Sequence, residues 1–528
     1  MKKILGVVLS VMMATAVMGV PARRGGIVRT AEDGTKKTVY LHGDKWFHYT
    51  TDAEGNWLDE ETLRPLTADE RMAREQAGKA RQQARRVQQE KQVGGDLNLA
   101  PRGLLIMVNF KNKAFTTPAD TIHEMINGEN FTRNYSYDYN YEGSNYHFNV
   151  KCSGSARQYF HDQSWGQYNP QFDVVGPYTL SQNYSYYGGN NDANVGYMIK
   201  EACELADADG VDFTVYDNNN DNKVDFVYVL YAGYGEADGG PANTVWPHNY
   251  DLNYTGVSCT VDGKKVRNYA CSNEISYYSN LYNGIGTFCH EFSHVLGLPD
   301  LYETNKNLLG LHTLLEWDIL DYGPYNNDGN TPPAYSAYER FYMGWLTPRV
   351  LTDPEYVYLH PLNESKEALL LCEGDKHNLV GNDPNPTTFY IIENRKQEGW
   401  DEYLPGKGML ITKIKYSYSN WYNNTVNNSA SNMGVDIMEA KTNTSDYASA
   451  KDAFPSGAKN WTAFTNHEVT GIALKNHVIE FSYRGGEDHQ AVENVEADAV
   501  ATKVIRDGKV VIIRNGVTYD LNGRVLDR

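Results

Sequence analysis

The segment His290-Glu291-Phe292-Ser293-His294-Val295-Leu296-Gly297-Leu298-Pro299-Asp300 restricts what this chain can fold into more than any other stretch. Residues at i and i+4 project from one face of an α-helix, so both imidazoles can reach one cation while Glu291 stands beside an open coordination position. This is the donor pattern of a catalytic zinc site, with Glu291 as the general base that takes a proton from water. Phe288, Phe292, Val295 and Leu296 give the same helix a core-facing side, and Gly297 can adopt φ > 0 and stop it. The chain then turns back and brings Asp300 towards the histidines as a third ligand. A helix with two ordinary structural histidines is the alternative; the added glycine and aspartate favour the metal.

With 528 residues the chain is longer than one core usually serves, so two or three domains are expected. Lys2 and Lys3, an apolar run from Ile4 to Val17, and the small residues Gly19 and Ala22 make residues 1–22 a secretory signal. The run is short for a membrane anchor, and nothing later is comparably apolar, so no integral membrane segment should remain once it is removed. The expected location is outside a bacterial cell, secreted or on its outer surface. A net charge of −19 argues against nucleic acid and anionic membrane as partners. The six cysteines lack C-x-x-C spacing, so neither a thiolate metal site nor a redox motif is indicated. Cys259 and Cys271 flank a turn at Val261 to Lys264 and are the one disulfide candidate.

Thr38 to Tyr49 alternates in strand fashion, with a turn at Asp52 to Gly55. Thr67-Ala68-Asp69-Glu70 is a capping-box pattern that opens a polar helix reaching to about Gln92. That helix carries Lys79, Arg81, Arg85, Arg86 and Lys91, and reads as a solvated linker compatible with activation cleavage. Residues 23–99 are thus expected to be a propeptide that keeps the secreted chain latent. They hold no cysteine, which excludes a thiolate plug and leaves a carboxylate or a steric cover.

Leu104 to Phe110 and Phe226 to Tyr231 read as buried strands, and Val195, Met198, Ile199, Ala202 and Leu205 as a helix face. Together with the histidine-bearing helix they predict an α+β catalytic domain over 100–346, a mixed sheet backed by helices. Tyr335, Tyr338, Phe341, Tyr342 and Trp345 are spaced as a core helix stripe. Short strands, including Thr388 to Glu393 and Gly408 to Ile414, make 347–485 a β-rich, sandwich-like domain. In the tail, 486–528, Asn515-Gly516 marks a hairpin between Lys509 to Arg514 and Val517 to Leu521.

On these residues the chain resembles the immune inhibitor A family of secreted zinc metallopeptidases. The likeness runs through Leu41-His42-Gly43-Asp44, Phe47-His48-Tyr49, Ser155 to Phe160, Phe172 to Pro177, Tyr231 to Glu236, the segment His290 to Tyr302, Trp317 to Tyr322, Ser336 to Glu339, Glu393-Asn394-Arg395 and Gly399-Trp400-Asp401. It implies a zincin-type fold and endopeptidase action on proteins and peptides, with His290, His294 and Asp300 as zinc ligands and Glu291 as base. The family usually carries methionine where this chain has Leu320, an apolar residue of similar volume. Tyr322, two residues on, is a candidate for stabilising the oxyanion; a packed structural tyrosine is the alternative.

Asp217, Asn219, Asp221, Lys223 (through its carbonyl) and Asp225 form an alternating oxygen series suited to a structural calcium ion. The alternative is an Asn/Asp turn without an ion, since the closing glutamate position of an EF-hand is Tyr228. Glu236 and His248 are treated as structural. No Ser-His-Asp or Cys-His set and no phosphate-binding glycine loop can be assembled. The rival function is a non-catalytic, calcium-stabilised binding protein or adhesin on a peptidase fold, against which the intact Glu291 argues.

Overall fold

The computed structural model describes residues 19–31, 33–84, 101–141, 144–304, 311–488, 502–506, 509–514, 517–519 and 525–527. Most of the expected signal, the far end of the basic helix and Asn515-Gly516 lie outside the described residues.

A five-stranded mixed sheet organises the region from 101 to 346. Its order is His248–Asp251, Asn268–Ile275, Val227–Tyr234, Arg102–Asn109, Gln171–Thr179, all parallel except the first pair. The central strands read as unbroken apolar runs because both faces are covered. Leu104, Ile106 and Val108 point into a core with the helix Val195–Ala208, whereas Leu105 and Met107 point to the opposite side, where the helix Gly286–Val295 lies. Val227 and Val229 against Tyr228 and Leu230 repeat the alternation.

The second side of this sheet shares its core with the β-rich region. Strands Leu369–Cys372, Thr388–Arg395 and Gly408–Lys415 form the middle of a second five-stranded sheet. Leu370, Phe389, Ile391, Leu410 and Ile414 of that sheet join the cluster holding Phe288 and Phe292. Leu369, Leu371, Tyr390, Ile392 and Ile411 face the other way, onto the three-stranded sheet of Glu355–Leu359, Val478–Tyr483 and Val469–Lys475. A buried ion-pair network also ties the halves. Arg395 meets Asp401 at 2.6 Å and Glu393 at 3.1 Å, and donates to the Ala334 carbonyl at 3.0 Å.

Residues 26–58 form an antiparallel sheet, with Lys36–Asp44 hairpinned onto Phe47–Thr51 through Lys45-Trp46. The alternation read as one strand from Thr38 to Tyr49 is therefore two, because Asp44 accepts the Trp46 and Phe47 amides and turns the chain. The capping box forms as expected: Thr67 Oγ1 accepts the Glu70 amide and Glu70 accepts the Thr67 amide, opening the helix Ala68–Ala84. The stripe from Tyr335 to Trp345 is largely core, but only Ala337–Tyr342 is helical, capped by Ser336 and Glu339.

No disulfide is formed. Cys271 sits in the central sheet with Sγ 3.5 Å from His248 Nδ1, and Cys259 faces Cys203 of the helix Val195–Ala208 instead. Strand pairing explains the miss: Cys259 opposes Val266 and Cys271 opposes His248, so the two lie in different sheets. Lys509–Arg514 and Val517–Tyr519 pair antiparallel as the tail hairpin. No helix among the described residues is long and apolar enough to cross a membrane.

Candidate metal centre and its cover

The helix Gly286–Val295 is buried along almost its whole length. Its entry needs a glycine, since a Cβ on Gly286 would stand 2.0 Å from the Pro324 carbonyl oxygen. Phe288 and Phe292 anchor it, each packed edge-on against Phe172 with ring centres 5.1 Å apart. At its end Gly297 takes φ +97°, a conformation that L side chains resist. The turn puts the Leu298 carbonyl on His294 and delivers Asp300 to both histidines.

His290 Nδ1 donates to the Ile319 carbonyl at 2.7 Å and His294 Nδ1 donates to the Leu298 carbonyl at 2.8 Å. A carbonyl only accepts, so each ring carries its proton on Nδ1 and presents the Nε2 lone pair. Those two Nε2 atoms lie 3.1 Å apart, and Asp300 Oδ1 lies 3.3 Å from each. Three buried acceptors thus point at one spot with no proton to share among them, and Asp300 Oδ1 has no hydrogen-bond donor. A cation satisfies that arrangement, and two imidazoles with a carboxylate suit zinc. Glu291 is fully buried beside them, with a carboxylate oxygen within 4.8 Å of ligating atoms on both histidines. Burial, with Asp300 adding to it, pushes the Glu291 carboxyl well above the usual range. Burial would raise Asp300 too, but charge and hydrogen bonding from the facing histidines, when these are protonated, hold it below that range.

The floor is the turn from Asp318 to Asp321. Leu320 is fully buried, its amide donates to Asp318 Oδ1 and its carbonyl accepts the Leu301 amide, so the turn that grips His290 also braces the segment carrying Asp300.

Residues 19–24 lie across the metal centre. The Val20 amide donates to Glu291 Oε1 at 3.0 Å, Tyr302 donates to the Gly19 carbonyl, Trp246 Nε1 to the Val20 carbonyl at 3.0 Å, and Tyr325 to the Pro21 carbonyl at 2.6 Å. Arg23 reaches Asp238 and Asp328, and the Arg24 guanidinium lies 3.5 Å above the Tyr322 ring. Behind them the hairpin of residues 36–51 docks through Lys45 on Asp192 and His48 on Glu236, the latter at 3.1 Å. His48 also stacks on Trp246. Glu236 therefore serves this docking, whereas His248 is bonded to Tyr269 inside the sheet.

The catalytic domain of the immune inhibitor A peptidase M6 family matches residues 99–346 of this chain. That region belongs to the M6 peptidases. It therefore has the zincin-type fold described above. Among curated relatives, the pre-pro-metalloprotease PrtV of Vibrio cholerae serotype O1 is 28% identical over 218 residues, covering 36% of this chain and 23% of that protein. Immune inhibitor A of Bacillus thuringiensis subsp. alesti is 23% identical over 212 residues, covering 34% of this chain and 30% of the relative. The match thus spans 23% to 30% of these relatives' length. The spacing of the sequence singles out His290, Glu291, His294 and Asp300 but gives no sign of the contacts made by Tyr302, nor of Asn424, Trp246 and Tyr325, which come from other segments with no motif of their own.

The acidic turn is a separate cluster. Asp217, Asp221 and Asp225 bring carboxylate oxygens within 4.8 Å of one another, and Asn222 takes φ +64° as the turn requires. Asn219 Oδ1 accepts the Asp221 amide, and Lys223 Nζ meets Asp221 at 2.9 Å. Lys264 Nζ stands 2.6 Å from Asp217.

Proposed function

We propose that this chain is an exported zinc-dependent endopeptidase made in a latent form, acting on proteins and peptides outside a bacterial cell. The observation that carries this reading is the convergence of His290 Nε2, His294 Nε2 and Asp300 Oδ1 beside the buried Glu291. Zinc held by those three groups would supply a Lewis acid for water and for the substrate carbonyl. Glu291 takes a proton from the attacking water. Its Oε1, which now receives the Val20 amide, faces the place of the scissile nitrogen and can hand the proton on to it. The Tyr322 hydroxyl stabilises the oxyanion once Arg24 has left its ring. A binding protein would leave Glu291 without a role.

Latency follows from residues 19–24, which occupy the place a substrate backbone needs and engage the base. Signal removal after Gly19 would give up the Gly19 carbonyl contact with Tyr302 but leave the Val20 nitrogen, then an amino terminus, at Glu291, whereas removal after Ala22 would discard both. Cleavage in the basic stretch 79–91 then releases the cover. We further propose that Asp217, Asn219, Asp221, Asp225 and the Lys223 carbonyl bind calcium, a cation displacing Lys264 and relieving repulsion among three carboxylates.

The test is zinc analysis and casein hydrolysis on processed wild type beside Glu291→Gln. One zinc in each, with turnover lost by roughly a hundredfold or more in the variant, is expected. Equal digestion by both would overturn the mechanism.

A further inference from the structure

The cover is held in two ways. The carbonyls of Gly19, Val20 and Pro21 are taken by Tyr302, Trp246 and Tyr325, contacts that any peptide backbone could make. Arg23 is different, because its side chain enters a site built for it. One guanidinium nitrogen is 2.9 Å from Asp238 Oδ1, the other 2.8 Å from Asp328 Oδ1, and the group lies 3.9 Å above the ring of Tyr278. The Arg23 amide also donates to the Ala237 carbonyl at 2.8 Å, which sets the backbone alongside this wall.

The wall is organised by the catalytic region alone. Asp238 Oδ2 is fixed by the Tyr277 amide at 2.9 Å and Asp328 Oδ2 by the Tyr135 hydroxyl at 2.8 Å. Their Oδ1 atoms are thereby aimed at a common point, on carboxylates whose side chains are only 5% and 4% exposed. When the cover leaves, Arg23 leaves with it. Two fixed carboxylates then face each other across a pocket floored by an aromatic ring, an arrangement that favours a planar cation and rejects an anion.

Register decides what the pocket would read. Val20 N sits on the base, where the nitrogen of a scissile bond belongs, so Val20 holds the place of the first residue beyond that bond and Arg23 the fourth. Resting on the peptidase reading above, we propose that Asp238, Asp328 and Tyr278 form a substrate subsite for an arginine or lysine side chain at the fourth residue on the leaving side of the cleaved bond.

The full chain, folded with its pro-region, is processed and repurified as zinc-loaded Glu291→Gln. Labelled hexapeptides with the sequence of residues 19–24, carrying arginine, lysine, alanine or glutamate at the position of Arg23, are titrated by fluorescence anisotropy. The arginine peptide should bind at least about tenfold more tightly than the alanine peptide, with glutamate weakest. In Asp238→Asn and in Asp328→Asn that ratio should shrink to about twofold or less. Because the first comparison changes only the peptide, it does not depend on either variant folding. Equal binding of all four peptides to protein that binds them measurably would overturn the subsite. No binding by any peptide, with zinc content intact, would overturn it as well. If Arg23→Ala in the full chain then relieved latency, the pocket would hold only the cover. Turnover is read separately, on active processed protein. Arginine-selective binding without hydrolysis of any peptide would retain the pocket and remove the peptidase reading.

Discussion

Asn424 grips Asp300 at two points: its side-chain oxygen accepts the Asp300 amide at 2.7 Å, and its side-chain nitrogen donates to Asp300 Oδ2 at 2.5 Å. These residues are 124 positions apart, and Asn424 belongs to the β-rich region beyond the M6 match. The amide aims the carboxylate, leaving Oδ1 turned to the histidines. Asn427 and Asn428 continue the clasp on the Leu301 carbonyl and Thr304.

Asn424→Ala should therefore lower zinc affinity by roughly 10- to 100-fold while leaving the fold in place. Competition with a chromogenic chelator measures this. Asn424 has φ +54°, so Asn424→Gly, which keeps the backbone comfortable and removes the amide, separates lost orientation from strain. Wild-type zinc affinity in the glycine variant would show that Asp300 needs no such clasp.

Tyr322→Phe should cost about 2 to 4 kcal/mol in kcat if its hydroxyl stabilises the oxyanion. The measurement belongs on processed protein, because in the uncleaved chain Arg24 covers the ring. Unchanged kcat with verified folding would leave Tyr322 as a packing residue and a perch for Arg24.

Docking of the cover should weaken as pH rises. Burial, the largest influence, lowers His48, but Glu236 opposite outweighs it and holds the imidazolium above its ordinary value of 6.5. Burial lifts Glu236 above the carboxylate range despite His48. His48 binds its proton more tightly docked than free, so its contribution is full below the free histidine value and fades as pH rises through the raised one; that of Glu236 runs the same way but starts to fade from the free carboxylate value upwards. Activation by limiting protease should accelerate over that interval, and His48→Gln should flatten the profile.

Calcium should raise the Tm of zinc-loaded protein first stripped of calcium, because ligand bound to the folded state stabilises it by mass action. Asp221→Ala should abolish the shift and leave zinc content unchanged. A Tm indifferent to calcium in wild type would leave an Asn/Asp turn neutralised by Lys264 and Lys223.

Much of this molecule was legible in its residues. Helical periodicity put His290 and His294 on one face, and a glycine that can take φ > 0 returned the chain with Asp300. Apolar runs marked Arg102–Asn109 and Val227–Tyr234, since strands covered on both faces need side chains of one kind. Such patterns are local: a few residues suffice to state them, and backbone geometry decides them.

What the tertiary structure alone decided are meetings between segments far apart in the chain. The partner of Cys259 is Cys203 rather than Cys271 because sheet register, not proximity to a turn, sets which side chains face. The clasp of Asn424 on Asp300, the Val20 amide on Glu291, and Arg23 between Asp238 and Asp328 have no periodicity to announce them. A hydrogen bond needs one donor and one acceptor brought within 3 Å or so, and the whole packed chain determines which pair that is.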